Sequence, residues 1–482
     1  MKLPSYLGRV APDRPSVRRS GLLVVVLASA VLAGCASLSP DAGFSSVESA
    51  AKERLGKDLR WARSEADLDS IDKRVGELLS KPLTVDDAVQ VALFNNRGLQ
   101  ATFQELGITE AEVVQASRLP NPGFRFSRLS RGSEVTLERS LDFSLARLIA
   151  LPYIRQIETR RFEQTKALVA MSVLALAAET RKAYYSALAA EETVRYMRQV
   201  QRAAEASSEL ARRMAQVGNF NKLQRAREQA FYADASLNLA RAEQARLATR
   251  ERLTRLLGAW GPQTRFALPD RLPDLPKDAT ELPDIERVAL GQRLDVQGAR
   301  LAAEQTARNL GLTKATRFVN VLELGALRNG SNQAPTERGW EISIELPLFD
   351  WGDARVARSE AIYMETVHRA AETAVNARSE VREAYAGYRS AFDIARHHRD
   401  EIVPLRQRIA EENVLRYNGM LIGVFELLAD ARAQIVSVNN AIESLRDFWI
   451  AQADLDMALI GKPSLALPGG PAVGVEPGGA AH

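Results

Sequence analysis

Two short stretches of the chain alternate between apolar and polar side chains. In 135–145 the apolar residues occupy the odd positions, with Arg139 as the one exception, and in 340–348 they occupy the even positions. A period of two is typical of a β-strand with one apolar face. The pattern predicts one hairpin around each stretch, with weaker partner strands at 124–129 and 318–327 and with polar, glycine-containing loops at 130–134 and 328–339.

Most of the remaining chain has the apolar spacing of α-helices. Leu168, Met171, Leu174 and Ala178 follow steps of three and four residues, which predicts helices packed along a coiled-coil-like seam. The stretch 153–217 contains no Pro or Gly, and at about 1.5 Å per residue it would be about 100 Å long. The predicted helices are 84–118, 153–217, 219–257, 285–316, 353–422 and 424–460.

The chain is internally duplicated. Six of the twelve residues in 218–229 recur in 423–434 at a spacing of 205 residues, beginning with Gly218 and Gly423. A repeat of about 200 residues is far longer than the roughly 20–50 residues of solenoid repeats. We therefore expect two equivalent halves, each with the order helix, hairpin, long helix, shorter helix.

The N-terminus carries a secretory signal. Residues 1–20 contain five basic side chains and one acidic side chain, and an apolar run at 21–33 follows, too short to span a bilayer. The run ends in Leu-Ala-Gly before Cys35, which resembles a bacterial lipoprotein signal. Cys35 is the only cysteine, so disulfides are excluded and lipidation of Cys35 is predicted.

These features predict the division of the chain. Its segments are a lipoprotein signal peptide at 1–34, an N-terminal tether at 35–81, a first repeat at 82–258 with its hairpin at about 122–145, a linker at 259–283, a second repeat at 284–461 with its hairpin at about 318–349, and a disordered Pro- and Gly-rich tail at 462–482.

Charge and hydropathy exclude several classes of function. Without the signal, the chain has 59 basic and 59 acidic side chains out of 64 and 60, so its charge balance gives no reason to expect nucleic acid binding. Outside the signal, no uninterrupted apolar run reaches the roughly 18 residues of a transmembrane helix. A membrane protein with this sequence would enter the bilayer through strands or through a lipid.

Catalytic and metal-binding patterns are weak. The chain has four histidines, and the adjacent His397 and His398 point about 100° apart on a helix, which is poor geometry for chelation. Asp393 and His397 are better explained as a solvated helical pair. We expect no catalytic residues, no metal site and no cofactor other than the covalent lipid on Cys35.

The predicted strands suit a membrane. They have about the 9–11 residues that a tilted strand needs to cross a bilayer, although alternation alone is also typical of a half-buried soluble sheet. Four strands are too few to close a membrane barrel, whose minimum is about eight, and open sheet edges cannot lie in lipid. Strands that span a membrane would therefore require an oligomer.

Three segments, together with the duplication, resemble the TolC-type outer-membrane efflux family. Residues 342–352 resemble its last strand and the Pro-containing exit into a helix, 289–296 resemble an opening motif with Leu294 in place of Pro, and 425–432 resemble the helix turn. The resemblance covers about 82–461. It implies a mainly α fold with a membrane β-barrel, in which four strands from each subunit of a homotrimer complete a 12-stranded barrel and the helices form a long α-helical barrel.

The resemblance also implies roles for particular residues. The carboxylates Glu138, Asp142, Glu341 and Glu345 would face the lumen, and the apolar residues Val135, Leu137, Leu141, Phe143, Ile342, Ile344 and Leu346 would face lipid. Arg139 departs from this apolar face, because it lies near the membrane interface or because the register is shifted by one residue. The periplasmic gate or adaptor contact would contain Gly218, Gly423, Glu426 and Asp430.

The implied function is that of a channel, without enzymatic activity, in a tripartite efflux pump. It would lie in the outer membrane of a Gram-negative bacterium, anchored by lipid and extending into the periplasm, with a periplasmic adaptor, an inner-membrane transporter and outer-membrane lipid as partners. The alternatives are a lipid-anchored periplasmic coiled-coil scaffold without a pore and a type I secretion duct. Metal ions, drugs, solvents and peptides all remain open as substrates.

Overall fold

The computed structural model describes residues 37–318 and 321–463, so the signal, Cys35 and nearly all of the tail lie outside the described residues. The chain is mainly helical and contains one four-stranded sheet, which confirms the predicted fold class. Within the described part, no helix is both long enough and apolar enough to cross a membrane. The helices are α1 Phe44–Leu55, α2 Glu65–Leu79, α3 Val85–Asn95, α4 Arg97–Ser117, α5 Leu145–Gln216, α6 Lys222–Leu257, α7 Ile285–Gln292, α8 Leu294–Ala315, α9 Asp353–His397, α10 Val403–Asn418 and α11 Val424–Ile460.

The sheet is antiparallel, with strands in chain order. Its strands are β1 Gly123–Arg131, β2 Glu134–Ser144, β3 Leu322–Ser331 and β4 Glu337–Ile344. A two-residue turn with Gly132 at φ 62° joins β1 to β2, and this positive φ suits the tight turns that match strand twist. Both predicted hairpins are present, and they pair through β2 and β3.

The second hairpin loop is shorter than its composition predicted. Only 332–336 connect β3 to β4, because Arg328 still pairs with Arg338 and β3 continues to Ser331. The Asn332 side chain then joins the two turns: its Oδ1 accepts from Val135 N at 2.9 Å and its Nδ2 donates to Ser133 O at 2.8 Å. Glycines and polar residues in this segment resembled a loop, but cross-strand pairing decides their conformation.

Contacts divide the chain into two compact units, and each unit draws on both repeats. The sheet and the helix ends at 110–159 and 315–352 belong to one unit, and the helical segments at 41–109, 160–314 and from 353 onward belong to the other. The segment predicted as a tether contains α1 and α2, whose buried Val47, Ala51, Ile71 and Val75 join the core of the helical unit. Their four-residue spacing gives each helix one apolar stripe.

Three helices predicted as continuous are interrupted. The first helix of each repeat breaks, at Asn96 between α3 and α4 and at Arg293 between α7 and α8. Between α9 and α10 lies a π-helical turn, His398–Ile402, directly before Pro404. Proline has no N–H to donate, so a wider turn at this point avoids a regular hydrogen bond that the chain cannot make.

At each break near the start of a repeat, a side chain donates hydrogen bonds to the C-terminal end of that repeat's last helix. Asn95 Nδ2 donates to Leu257 O at 3.2 Å and to Gly258 O at 2.9 Å. In the second repeat, Arg293 Nη1 donates to Ala458 O at 3.3 Å. Carbonyl groups at a helix C-terminus lack intrahelical donors, so a buried polar side chain at the break satisfies them.

Arg293 also carries a buried ion network. Its Nη2 lies 2.6 Å from Asp295 Oδ2 and 2.6 Å from Glu380 Oε2, and its side chain is 1% exposed. Through these contacts one guanidinium joins α8, α9 and α11. Removing one member of such a network leaves buried charges without a counter-ion.

We expect Arg293→Met to lower the free energy of unfolding by about 3–5 kcal/mol, because it leaves the Asp295 and Glu380 carboxylates uncompensated. Arg287→Met is the matched control, since its ion pair with Asp284 is 81% and 70% exposed and should contribute about 0–1 kcal/mol. Guanidinium chloride unfolding, followed by helical circular dichroism, measures both. Equal losses in the two variants would contradict a structural role for the Arg293 network.

Candidate functional site

The two faces of the sheet differ in chemistry. Alternation and strand register place every carboxylate of the four strands on one face: Glu134, Glu138, Asp142, Glu323, Glu337 and Glu341. The opposite face carries most of the large apolar side chains, and only Leu129 and Leu327 of the described strands lie on the acidic face. The members of the apolar face are Phe124, Phe126, Val135, Leu137, Leu141, Phe143, Leu322, Leu324, Trp340, Ile342 and Ile344. One sheet therefore presents an acidic face and an apolar face.

Three of the four carboxylates predicted to line a lumen share the acidic face. Asp142 and Glu341 both pair with Gly325, and a Cβ at Gly325 would lie 2.8 Å from Asp142 Oδ1 and 2.9 Å from Glu341 Oε1. Glycine is needed here because the two carboxylates occupy the space of a side chain. Glu138 lies two rows nearer the turns, whereas Glu345 follows the end of β4 and is exposed.

The apolar face is uncovered in the chain. Phe124 is 69% exposed, Trp340 is 73% exposed and Ile344 is 58% exposed. A contiguous apolar surface of this kind marks a contact with another protein or with a membrane. Arg139 lies on this same face, where it pairs with Phe126 and Arg328, so it is a charged side chain on a largely apolar face.

The turn between α5 and α6, one of the two predicted gate or adaptor contacts, contains a glycine in the left-handed conformation. Gly218 has φ 83°, and the N–H of Asn219 donates to Met214 O at 2.9 Å, which closes the end of α5. Asn221 then begins α6 with a capping box, in which its side chain and that of Gln224 exchange hydrogen bonds of 2.8 Å with each other's backbone.

The turn between α10 and α11, the other predicted contact, has a different backbone conformation. Gly423 has φ −83° and precedes α11 without a side-chain cap, while Met420 takes the positive φ of 57°. The two glycines recur in sequence, yet α11 begins at Val424 and α6 begins only at Lys222. The repeat therefore conserves the position of the turn but not its conformation.

The two predicted tip carboxylates lie in different environments. Glu426 is exposed in the first turn of α11. Asp430 is half-buried and accepts a hydrogen bond from Asn413 Nδ2 on α10, within its own helical hairpin. Of the pair, Glu426 is thus the carboxylate that remains open to a ligand or a partner.

A buried carboxylate that the sequence analysis missed links the two helical hairpins near these turns. Glu228 on α6 is 1% exposed, and its Oε2 accepts from Ser207 Oγ on α5 at 2.8 Å. Its Oε1 lies 3.4 Å from Arg432 Nη2 on α11, and the Arg432 guanidinium also lies 4.3 Å from the ring of Phe231. The contact spans 204 residues of sequence, and only the recurrence of Arg227 at Arg432 hints at it.

Beside this link, α5 and α6 form an open, charged surface groove of about 770 Å³. Arg212 Nε and Arg213 Nε lie 2.7 Å and 2.8 Å from Glu209, and their hydrogen bonds lower the pKa of Glu209 to about 2. The lining includes Arg202, Arg225 and Glu205 as well, so basic groups outnumber acidic ones.

Asp393 and His397 pair with other side chains and not with each other. Asp393 lies 3.2 Å from Arg396, and His397 Nδ1 lies 3.3 Å from Glu401 Oε2. Burial and the neighbouring His397 lower the pKa of His398. Within the described residues, no group of three or more His, Cys, Asp or Glu side chains is placed to hold a metal.

Comparison with known structures confirms the resemblance at the level of the fold, which is that of the TolC-type outer-membrane channels. The outer-membrane channel CmeC of Campylobacter jejuni has a TM-score of 0.66 and 15% identity, over 84% of this chain and 89% of that chain. A membrane protein from Pseudomonas aeruginosa has a TM-score of 0.69 and 19% identity, over 78% of this chain and 92% of that chain.

Sequence comparison also finds a similar protein. The cobalt-zinc-cadmium resistance protein CzcC of Cupriavidus metallidurans is 25% identical over 278 residues, which cover 56% of this chain. The match spans 64% of the length of CzcC, slightly less than two thirds. No family model matches the chain.

We expect Glu228→Gln to loosen the second helical hairpin, because the amide cannot replace the charge that holds Arg432. Hydrogen bonds to charged groups contribute about 1.5–3 kcal/mol, so amide exchange in α10 and the first half of α11 should be faster by roughly ten-fold or more. Hydrogen exchange read by mass spectrometry measures this change.

The control is Glu243→Gln, on the same helix, whose ion pair with Arg198 at 3.0 Å is about half exposed. Its exchange in α10 and α11 should match that of the parent chain. Unchanged exchange in both variants would show that the Glu228–Arg432 contact does not hold the hairpin.

Proposed function

We propose that this chain is one subunit of a homotrimeric channel in the outer membrane of a Gram-negative bacterium, through which substrates leave the cell. The observation that carries the proposal is the open sheet with one acidic face and one apolar face. The fold shared with outer-membrane channels supports it. The channel itself does no chemistry, and energy comes from its partners.

The edges of the sheet require an oligomer, and the resemblance to the TolC-type family gives three as its number of copies. β1 pairs only with β2 and β4 only with β3 in the described chain, so both outer strands have backbone groups that need a partner. In lipid those groups cannot bond to water, which excludes an open edge there. Three copies would supply twelve strands and join β1 of each subunit to β4 of the next.

The two faces then have distinct roles. The apolar face, with Val135, Leu137, Leu141 and Phe143 among its members, contacts outer-membrane lipid, and Leu346 extends it beyond β4. The acidic face, with Glu138, Asp142 and Glu341, lines the aqueous lumen, and Glu345 lies at its entrance. Six carboxylates and only two arginines, Arg125 and Arg131, occupy that face of each chain, so cations are favoured in the lumen.

The helices extend into the periplasm, where the turns at Gly218 and Gly423 form a tip that serves as gate and contact for a periplasmic adaptor. The adaptor connects the channel to an inner-membrane transporter. Lipidation of Cys35 adds an anchor through roughly 0.8 kcal/mol for each buried methylene. The name of CzcC and the acidic lumen together favour metal cations among the substrates.

We expect the purified trimer to conduct ions in planar bilayers and to prefer cations. Glu228→Gln should raise the open fraction, because it frees the second hairpin at the gate. Asp142→Asn with Glu341→Gln should reduce the cation preference, since both amides fit beside Gly325 without charge. Glu365→Gln, which changes an exposed pair with Arg369 at 2.9 Å on α9, is the control.

The proposal would be refuted by a monomer, or by an oligomer that never conducts even in the Glu228→Gln variant. A stable, lipidated and non-conducting oligomer would instead support a periplasmic coiled-coil scaffold. Conduction together with export of a polypeptide by the intact system would support a type I secretion duct.

We expect Glu426→Gln to weaken block of the channel by divalent cations added from the periplasmic side. Three exposed carboxylates around a narrow tip would attract such ions, and uncharged amides of the same shape would not. Asp430→Asn is the matched comparison, because its carboxylate already pairs with Asn413 and should contribute less to the block. Block measured by current in planar bilayers is decisive: equal block in the parent and Glu426→Gln places Glu426 outside the aperture.

A further inference from the structure

The apolar face of the sheet carries four arginines that the channel function does not use. Arg139 on β2 pairs with Arg328 on β3, and Arg328 pairs with Arg338 on β4. Arg128 on β1 lies in the next row, opposite Leu137. We call Arg128, Arg139, Arg328 and Arg338 the arginine belt.

The belt concentrates positive charge without compensation. All six carboxylates of the strands lie on the opposite face, and no ion pair or hydrogen bond of the belt side chains is found in the described part of the chain. Like charges directly opposite each other on neighbouring strands are destabilising. An anion bound between them would offset that repulsion.

A cavity of about 380 Å³ lies at the belt. Arg139 and Arg328 line it together with the apolar Val135 and Leu137. Its room comes from Gly330, where an added Cβ would meet no atom within 4 Å. The polar residues Ser331, Asn332 and Thr336 complete the wall toward the hairpin turns.

The belt lies at one boundary of the apolar surface. From Leu322 to Arg328 the strand advances six residues, about 20 Å at roughly 3.3 Å per residue, and the rows between are apolar. Outer-membrane barrels have an apolar band about 25 Å tall. A strand tilted by about 35–45° rises only about 15 Å over that length, so the rows from Leu322 to Arg328 make up part of such a band. The belt ends those rows on the turn side, at the level of lipid headgroups if the sheet spans the membrane.

We propose that the arginine belt binds the phosphate groups of a lipid in the leaflet on the hairpin-turn side, with the lipid's acyl chains lying along the apolar rows. This rests on the proposed membrane location of the sheet. Guanidinium groups bind phosphate oxygens through two parallel hydrogen bonds, and two or three neighbouring arginines match a headgroup with more than one phosphate. The occupant is a phosphorylated lipid rather than free phosphate, because charge and apolar surface are continuous here.

The test uses the full-length trimer in neutral detergent, with diphosphorylated lipid A as the ligand and phosphatidylcholine as the neutral comparison. Native mass spectrometry counts retained lipid. Arg139→Gln with Arg328→Gln should weaken lipid A binding by roughly ten-fold or more, because at least two charge-assisted contacts are lost. Arg125→Gln with Arg131→Gln, which removes two arginines of the acidic face, should change it less than about two-fold on the same scale.

A second variant distinguishes the contribution of the arginine charges from that of the cavity volume. Gly330→Leu keeps all four arginines but fills the cavity, and it should also weaken lipid A binding. Trimer mass and bilayer conductance are measured on the same samples, so loss of the channel itself is distinguished from loss of the lipid site.

Three outcomes would overturn the inference while leaving the channel proposal intact. The belt and acidic-face variants could bind lipid A equally in conducting trimers. Phosphatidylcholine could bind as tightly as lipid A. Inorganic pyrophosphate could displace lipid A at equal concentration, which would show a site for a free anion instead of a lipid.

Discussion

An unpaired sheet edge cannot lie in lipid, and the proposed architecture of this protein depends on that constraint. The four strands form an open sheet whose outer strands β1 and β4 each lack a second neighbour in the described chain. If the apolar face meets lipid, as we propose, the edges must be closed by further copies. Closure then puts the acidic face on the inside, so that edge pairing between copies and the chemistry of the lumen both follow from one backbone requirement.

Equivalent positions in the two repeats perform the same structural role with different side chains. An amide, Asn95, receives the end of the last helix in the first repeat, and a guanidinium, Arg293, does so in the second. Arg293 additionally needs two carboxylates because its charge is buried. At the candidate tip the divergence is larger, since Gly218 is left-handed and Gly423 is extended. The two repeats therefore differ in backbone conformation at the turns that we propose as the gate.

The sequence predicts the structure where the pattern is local. Period-two alternation predicted both hairpins and the face of each residue, including Arg139, because side chains on a strand alternate regardless of distant contacts. The breaks at Asn96 and Arg293 were not predicted, although Gly98 and Gly291 lie two residues away and Asn96 Oδ1 accepts from Leu99 N at 3.1 Å. Each break also receives the end of a distant helix. Glu228, whose partner Arg432 is 204 residues away, was not predicted either, and neither was the hydrogen bond that sets Asp430 apart from Glu426. Those features depend on tertiary contacts that no local pattern contains.

The most direct test of the two-faced sheet is cysteine labelling in intact cells. Single cysteines at 138, 141, 142 and 143 sample both faces of β2, and the parent chain, with Cys35 alone, is the blank. A water-soluble, membrane-impermeant maleimide should label Glu138→Cys and Asp142→Cys through the lumen. Leu141→Cys and Phe143→Cys should stay unlabelled until detergent dissolves the membrane. Equal labelling at all four positions in intact cells would contradict a sheet with one face in lipid and the other in water.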